Sequence, residues 1–281
     1  MSATWMGDPP PRAPRLGAGG VLRVLMRGLP LALLVFGGLA LTLLVRLIER
    51  PVWGVNRPLT PAITVAVCRG ALRIIGLSVE TQGTPMATPG AVVANHASWL
   101  DIFVLNAPQR VYFVSKAEVA GWPGIGWLAR ATGTVFIARD RAQAAAQAAL
   151  FQSRLRAGHR LLFFPEGTSS DGQRVLPFKS TLFAAFFAPG LRERLAVQPV
   201  SVRYRAPEGC GARFYGWWGD MEFGPHLLRV LAAPRQGRVT VVYHAPLAVA
   251  AAGDRKTLAA ACETRVRTGF GAPRPGSVKE G

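Results

Sequence analysis

The pattern of apolar and polar residues divides the chain into two parts. No charged residue occurs from Gly28 to Val45, and arginines flank this run on both sides. A helix over this run is about 27 Å long, which barely matches the roughly 30 Å hydrocarbon layer of a bilayer. The run therefore predicts a membrane-associated helix at about 28–45, with a buried core helix as the alternative.

A second apolar stretch, Thr60 to Leu77, is interrupted by Arg69 and Arg73. Residues four apart share one face of a helix, so this stretch predicts an amphipathic interfacial helix at about 60–77. Together the two helices define a membrane-associated segment over residues 21–80. Residues 1–20 are rich in Pro, Gly and Arg and predict a disordered basic tail. Because arginines lie on both sides of the apolar helix, their distribution leaves its orientation open.

From residue 90 onward, short β-branched runs alternate with helical stretches. An alternation of this kind predicts an α/β fold with a mostly parallel sheet flanked by helices, over a domain at 81–270. Residues 271–281 are expected to be a disordered tail. The predicted strands are Ala91–Ala94, Val111–Ser115, Val135–Ile137, Arg160–Phe164, Val197–Tyr204 and Arg238–Tyr243. The predicted helices are Ser98–Asn106, Ile125–Ala131, Arg141–Arg156, Thr181–Ala188, Gly224–Leu231 and Arg255–Thr268.

Composition narrows the class of protein. The 281 residues include 33 Lys and Arg against 15 Asp and Glu, a formal net charge of +18, and half of all residues are apolar. So high an apolar fraction excludes a disordered chain, and three cysteines without metal-type spacing exclude a disulfide scaffold. A strongly basic chain binds either nucleic acid or an anionic membrane. The arginines are scattered, and no zinc-finger spacing or aromatic RNA-binding strand occurs, which favours the membrane and argues against nucleic acid.

The first motif whose residues could take part in catalysis is Asn95-His-Ala-Ser-Trp-Leu-Asp101, directly after a predicted strand. His96 and Asp101 would not share a face of one continuous helix. They can meet if His96 lies in the strand-to-helix turn and Asp101 on the first or second turn of the helix, which makes Ser98 a candidate N-cap. A carboxylate on one ring nitrogen fixes the tautomer and leaves the other nitrogen as a general base. The alternative is a capping histidine and a surface aspartate.

A second motif, Gly133-Thr-Val-Phe-Ile-Ala-Arg139, ends a predicted strand in an arginine. The carboxyl ends of parallel strands form the edge where α/β sheets bind ligands, and a guanidinium suits a phosphate. Arg139 is therefore a candidate anion-binding residue, with a surface arginine beside Asp140 as the alternative.

A third motif, Phe164-Pro-Glu-Gly-Thr-Ser-Ser-Asp171, follows another predicted strand. Proline and Gly167 predict a sharp turn that can present Glu166, Thr168 and backbone N–H groups to a ligand. Lys179 follows shortly afterwards and is placed near the same loop. An ordinary surface loop is the alternative. The nucleophile motif Gly-x-Ser-x-Gly does not occur in the sequence.

Taken together, these motifs resemble the lysophospholipid acyltransferase family, whose best-known member is 1-acylglycerol-3-phosphate acyltransferase. The family order is His-x-x-x-x-Asp, Gly-x-x-Phe-Ile-x-Arg, Phe-Pro-Glu-Gly-Thr and Val-x-Pro-Val. All four occur here in that order, the last as Val197-Gln-Pro-Val200. The resemblance covers roughly residues 60–245 and implies the glycerolipid acyltransferase type of α/β fold.

The resemblance implies acyl transfer from acyl-CoA or acyl carrier protein to the free hydroxyl of a lysolipid. His96 would take the hydroxyl proton, and Asp101 would orient His96. Arg139 would hold the anionic head group of the acceptor, assisted by the Glu166-Gly167-Thr168 loop and Lys179. No metal and no cofactor is implied. The implied partners are membrane lipids and the acyl donor. The implied location is a membrane, the inner one in a bacterium, with the catalytic domain on its cytoplasmic face.

The sequence also departs from the family pattern. Ser169 stands where the third block usually has Arg, and Ser180-Thr181 replaces the usual x-Gly after Phe178-Lys179. We expect 1-acyl-sn-glycerol-3-phosphate as the acceptor and phosphatidic acid as the product. The Ser-Ser-Asp-Gly variant and Trp217-Trp-Gly-Asp-Met221 also resemble the branch that acylates lyso-ornithine lipid, which is the alternative.

Two hypotheses of other classes remain at this point. One is a metal-dependent membrane hydrolase that uses His96, Asp101, Glu166 and Asp171 as ligands for Mg²⁺ or Mn²⁺. The other is a non-catalytic adaptor that binds anionic lipids.

Overall fold

A computed structural model describes residues 4–7, 9–11, 16–138 and 144–271. Its helices are α1 (Ala18–Trp53), α2 (Thr60–Ile75), α3 (Asp101–Asn106), α4 (Ile125–Ala131), α5 (Ala144–Arg156), α6 (Phe223–Ala232) and α7 (Arg255–Gly271). Its strands are β1 (Ser78–Gln82), β2 (Gly90–Ala94), β3 (Tyr112–Lys116), β4 (Val135–Ile137), β5 (Leu161–Phe163), β6 (Ala196–Arg205), β7 (Arg238–Tyr243) and β8 (Leu247–Ala248). Three short 3₁₀ segments lie at Ala117–Gly121, Leu182–Phe187 and Val249–Ala251.

The strands form one mixed sheet in the order β1-β7-β6-β2-β5-β3-β4, with β8 paired to β6. Five neighbouring strands, from β6 to β4, are parallel to one another. The antiparallel pairing of β7 and β8 with β6 makes the sheet mixed. The predicted α/β architecture, a mostly parallel sheet flanked by helices, is confirmed.

Helices cover both faces of the sheet, and the strand residues divide between two cores. Val92 of β2 packs with α2, α3 and α6, whereas its neighbour Val93 packs with α5, the second 3₁₀ segment and α7. Successive side chains of a strand point to opposite faces, so strands covered on both sides are apolar throughout. β2 is buried along its whole length. Central burial of β2 fixes the position of the loop that follows it.

The two N-terminal helices pack against each other and against the domain that contains the sheet. Gly38 of α1 lies so close to α2 that an added Cβ would meet Val67 Cγ2 at 2.4 Å. At the other side of α1, Arg23 Nε donates to Ala232 O (2.7 Å), and Arg27 donates to Leu231 O (2.8 Å) and Ala233 O (2.6 Å). These carbonyls end α6 and lack intrahelical partners, so α1 caps α6 with two cations.

The predicted helix bounds at 28–45 and 60–77 were wrong in extent. α1 begins at Ala18 and ends at Trp53, and α2 ends at Ile75. The arginines that seemed to flank the apolar helix lie inside it. The expected tail over residues 1–20 is corrected in the same way, because residues 18–20 belong to α1. Residues 272–281, most of the expected C-terminal tail, lie outside the described residues.

The other differences between prediction and structure mainly concern elements whose sequences have only a weak apolar pattern. β1 was not predicted because its side chains are polar and exposed at the sheet edge, and the expected domain boundary at residue 81 falls inside it. β8 has two residues and was also missed. The helix predicted at Thr181–Ala188 is the 3₁₀ segment Leu182–Phe187. The predicted start of α5 at Arg141 lies outside the described residues.

Among the described residues, α1 is the one helix long and apolar enough to cross a membrane, with a mean hydropathy of 2.4 in its best window. Along α1, large apolar side chains face outward, including Met26 (67% exposed), Leu33 (76%) and Leu47 (72%). Exposed apolar surface of this extent marks an interaction site, and on a long apolar helix it indicates association with a membrane.

Candidate active site

The candidate active site lies at the carboxyl edge of the parallel strands, where the loops after β2 and β5 meet. Ser170 of the second loop donates its backbone N–H to the carbonyl of His96 in the first (2.9 Å). The fully buried Asn95 fixes the first loop to β6: its Nδ2 donates to Val202 O (2.9 Å), and its Oδ1 accepts from Val202 N (2.8 Å). The two motifs that were separate in sequence therefore form one site.

His96 and Asp101 are in direct contact. Asp101 Oδ2 lies 2.7 Å from His96 Nδ1 and also accepts the backbone N–H groups of Ala97 (2.9 Å) and Ser98 (3.1 Å). Asp101 is fully buried. An acceptor carboxylate at Nδ1 favours the tautomer with its proton on Nδ1, which leaves Nε2 as a base.

His96 lies in the turn after β2 and Asp101 on the first turn of α3, as expected, but the helix starts later than predicted. α3 begins at Asp101 and not at Ser98, and it has no side-chain cap. Asp101 itself reaches back to the two N–H groups before the helix, so it both organises the turn and orients His96. The prediction of Ser98 as the capping residue was wrong.

A further hydrogen bond on Asp101, to its other carboxyl oxygen, comes from a residue that sequence reasoning missed. The hydroxyl of Tyr204, on β6, donates to Asp101 Oδ1 (2.7 Å). Burial, and next the charge of Asp101, raise the pKa of Tyr204 well above its ordinary value. Tyr204 therefore stays protonated and donates. Nothing in the spacing of the chain could indicate this contact, because the partners are 103 positions apart.

The imidazole of His96 is stacked on Phe164, with ring centroids 3.9 Å apart and planes 9° from parallel. Its side chain is 20% exposed, in contrast to the buried Asp101. No described residue hydrogen-bonds Nε2. The ring is thus held on one face and at one nitrogen, with its remaining nitrogen available to a ligand.

Glu166 is almost completely buried beside this pair. Neither carboxyl oxygen has a well-aligned hydrogen-bond partner among the described residues. Burial raises the pKa of Glu166 well above its usual range; nearby backbone N–H groups of Leu176 and His96 oppose this, and the charge of Asp101 adds to it. A carboxyl group kept neutral can donate a hydrogen bond as well as accept one.

Gly167 and Lys179 meet next to Glu166. Gly167 has φ +71°, and an added Cβ would lie 2.9 Å from Lys179 Nζ. Lys179 N donates to Pro165 O (2.9 Å), which holds the lysine segment against the loop. The structure therefore brings Glu166, Gly167 and Lys179 together, as the sequence predicted.

Asp171 lies at the end of the loop and forms ion pairs with two arginines. Its carboxylate contacts Arg174 (3.1 Å) and Arg213 (3.3 Å), and it accepts Gln173 N (3.1 Å). Asp171 is buried, so this pairing is structural. The ligand set expected for a metal-dependent hydrolase is not formed: among the described residues, no three His, Cys, Asp or Glu side chains lie together as a metal site.

The N-terminal segment crosses the outer side of the same loop. Trp5 donates its backbone N–H to Thr168 Oγ1 (3.3 Å). Its ring lies 6.3 Å from that of Trp218 and beneath the guanidinium of Arg174 at 5.2 Å. Thr168 thus lies at the edge of the site, between Trp5 and Glu166. Arg139, the candidate anion-binding residue, lies outside the described residues.

Comparisons with known proteins agree with this architecture. Residues 77–203 match the family described as Acyltransferase. The lyso-ornithine lipid O-acyltransferase of Rhodobacter capsulatus is 60% identical over 95% of this chain and 97% of its own length. The lyso-ornithine lipid O-acyltransferase of Pseudomonas aeruginosa is 34% identical over 90% of this chain and 96% of its own length.

A solved structure shows the same fold. The 1-acyl-sn-glycerophosphate acyltransferase from Thermotoga maritima superposes with a TM-score of 0.63 over 89% of this chain and 94% of that chain, at 21% identity. The chain belongs to the acyltransferase family. It is an enzyme that acylates lysolipids, as the sequence predicted, and the hydrolase and adaptor hypotheses are set aside.

Proposed function

We propose that the acyl acceptor is lyso-ornithine lipid and that acyl-CoA or acyl carrier protein is the donor. The observation that carries this proposal is the 60% identity, over nearly the whole of both chains, to an enzyme of that name. The local sequence supports it, because Ser169 replaces the arginine that the phosphate-binding branch usually has in this loop. 1-Acyl-sn-glycerol-3-phosphate, expected first from the motifs, is the second candidate.

In the proposed mechanism, His96 is the general base. Nε2 takes the proton of the acceptor hydroxyl while the oxygen attacks the thioester carbonyl. A C–O bond forms, the C–S bond breaks, and the proton passes from His96 to the departing thiolate. Asp101, held by Tyr204 and two backbone N–H groups, keeps the ring in the required tautomer and stabilises its charged form.

The loop after β5 is the proposed head-group site. Lyso-ornithine lipid carries an amino-acid head, with a carboxylate and an ammonium group. Lys179 beside Gly167 suits the carboxylate, and the Glu166–Thr168 segment offers carboxyl, hydroxyl and backbone groups. Arg139 is proposed as a further anion-binding residue from the sequence motif.

For the membrane, we propose that α1 lies in one leaflet, with the catalytic domain on the cytoplasmic side. α1 contacts α6 through Arg23 and Arg27 near its beginning, and the loop that follows its end is held to α4, where Arg57 donates to Ala131 O (2.6 Å). A helix fastened to the domain near both ends cannot leave it to cross the bilayer. Its outward apolar side chains then face the acyl chains.

The test is an acyl-transfer assay of the purified full chain in mixed micelles. The acceptors are lyso-ornithine lipid and 1-acyl-sn-glycerol-3-phosphate, each with acyl-CoA and with acyl carrier protein, and mass spectrometry identifies the product. We expect a higher kcat/KM for lyso-ornithine lipid. His96→Ala should lower kcat by about 10²- to 10⁴-fold while the thermal unfolding midpoint stays near the wild-type value.

The two parts of the proposal fail separately. A preference for the phosphate acceptor would overturn the proposed substrate and leave the mechanism standing. Wild-type turnover by His96→Ala would overturn the mechanism whichever acceptor is used.

A further inference from the structure

A pair of cavities lies away from the candidate active site, at the end of α1. Two adjoining cavities of about 320 and 550 Å³ share three arginines in their walls. They lie beside the residues just before β4 begins, whereas His96 and Glu166 follow the ends of β2 and β5. Because these strands are parallel, the cavities and the candidate active site are at opposite edges of the sheet. The arginines lining the cavities are Arg46, Arg50, Arg57, Arg130 and Arg154.

The positive charge of these cavities is poorly balanced. Among the described residues, Glu49 is the carboxylate recorded in contact with the five arginines, through Arg46 at 3.1 Å. Its oxygens also accept the N–H groups of Leu59 (2.8 Å) and Thr60 (3.1 Å) and the hydroxyl of Thr60 (2.8 Å). Glu49 therefore caps the start of α2 and has little capacity left to neutralise the other arginines.

The remaining recorded partners of the arginines are neutral. Arg57 donates to Ala131 O (2.6 Å), and Arg154 donates to Gly133 O (3.0 Å). Burial, then the charges of Arg57 and Arg46, lower the pKa of Arg154 to about 10. Burial, then Arg154 and Arg57, lower the pKa of His159 to about 4. Burial is the largest cause of both shifts, and the smaller contributions of Arg57, Arg46 and Arg154 come from clustered positive charge that an anion would relieve.

One wall of the larger cavity is apolar. Leu39 and Leu43 of α1 line it together with Trp127 of α4, which is 58% exposed. This wall continues into the outward apolar face of α1, where Leu44 and Leu47 are exposed. An inorganic anion would not need such a wall, and an acyl-CoA bound here would lie at the edge of the sheet opposite His96. An amphiphile with an acidic head and a hydrocarbon body fits both parts.

We propose that this arginine pocket binds the phosphate-bearing head of an anionic glycerophospholipid, whose acyl chains lie along Leu39, Leu43 and Trp127. This inference rests on the proposed position of α1 in the membrane. It does not depend on which acceptor is acylated. The bound lipid joins the end of α1 to α4 by bridging Arg50 and Arg130, which come from different elements.

The test uses the full chain in neutral detergent and a short-chain phosphatidylglycerol as the probe. Native mass spectrometry and the thermal unfolding midpoint report binding, with short-chain phosphatidylcholine as the neutral comparison. The test variant is Arg50→Gln with Arg130→Gln. The control is Arg255→Gln with Lys256→Gln, which removes the same charge from exposed positions at the start of α7, a helix that lines neither cavity.

We expect saturable binding of phosphatidylglycerol to the wild type and the control, and affinity lower by roughly tenfold to thirtyfold in the test variant, since each basic side chain contributes about 1 kcal/mol to binding an anionic lipid. Equal retention of phosphatidylcholine would overturn the proposal. A matching saturable effect of inorganic phosphate, or of CoA, would reassign the pocket to a soluble ligand.

Further outcomes separate this inference from the proposed function. In micelles without anionic lipid, the test variant should transfer acyl groups to lyso-ornithine lipid at the wild-type rate. If the test variant instead loses binding of acyl carrier protein and keeps that of phosphatidylglycerol, the pocket is a protein-docking surface and the lipid proposal is wrong. Failure of the acceptor assay in wild-type protein would overturn the proposed substrate and leave the lipid-binding measurement intact.

Discussion

The candidate base is held by contacts that converge on a single carboxylate. Asp101 accepts hydrogen bonds from Tyr204, Ala97 and Ser98 as well as contacting His96. Hydrogen bonds that stabilise the ionised form compensate the cost of burying a charge. Because Asp101 cannot move without losing these partners, the ring of His96 is fixed in place before any lipid arrives. Such preorganisation is what proton transfer at a set distance requires.

Glu166 leads to a prediction at the same scale. Burial raises its pKa in the folded protein, whereas a glutamate in the unfolded chain has a pKa of about 4.3. The stability from the protonated form is therefore complete below the unfolded pKa and is lost as the pH rises through the folded pKa. Glu166→Gln mimics the protonated form without titrating. We expect the variant to gain thermal stability relative to the wild type as the pH rises above about 4.3.

Thermal unfolding across a range of pH measures this difference. Glu208→Gln, at an exposed position, is the matched control and should show no such rise. A difference that stays constant with pH would mean that the buried carboxyl titrates normally.

Part of this site could be predicted from the sequence. The meeting of His96 with Asp101 follows from a strand, a short turn and a helix, all within one local stretch. The contact with Tyr204 and the stacking on Phe164 depend on which strands become neighbours in the sheet. Strand order is set by packing over the whole domain, and no spacing within one motif records it.

At the scale of elements, the hairpin of α1 and α2 depends on close approach. Gly38 faces Val67, whose β-branched side chain is stiff, while no atom lies within 4 Å of a Cβ added to Gly37. Gly37→Ala should stabilise the protein by roughly 0.5–1 kcal/mol through helix propensity. Gly38→Ala should destabilise it by about 1–3 kcal/mol, because the methyl group overpacks the interface.

Thermal unfolding of both variants in detergent, compared at equal concentration, tests this pair. The two substitutions are chemically the same and adjacent, so propensity alone would move both midpoints upward together. That result would show that α1 and α2 are not packed at Gly38.

The elements that sequence patterns predicted well are those with a marked apolar pattern. β7 has the predicted bounds, and α4 has them too, because each has a clear apolar pattern with clear ends. β1 was not predicted, because its residues, Ser78–Gln82, are mostly polar and exposed and so form no apolar pattern. α1 was predicted too short because arginines normally mark the end of a membrane-facing helix, whereas Arg23 and Arg27 bond the carbonyls of α6.

At the scale of the whole molecule, the proposed position of α1 in one leaflet predicts that both of its ends face the same side of the membrane. Gly17 and Asn56 flank the helix and are exposed. In a Cys210→Ser background, the other cysteines are buried. Single reporters Gly17→Cys and Asn56→Cys should both react with a membrane-impermeant maleimide in sealed vesicles that expose the cytoplasmic face.

Permeabilised vesicles provide the control for reporter reactivity. Labelling of one reporter before permeabilisation and of the other only afterwards would show that α1 crosses the bilayer.

The two cations that α1 places on the last carbonyls of α6 have a mechanical consequence. They fix α1 to α6, which belongs to the catalytic domain. The helix and the domain therefore move together. With α1 in one leaflet, as proposed, Nε2 of His96 stays at a fixed height above the bilayer surface. The proposed position then predicts that the depth of the acceptor hydroxyl in the bilayer contributes to substrate selection, in addition to recognition of the head group.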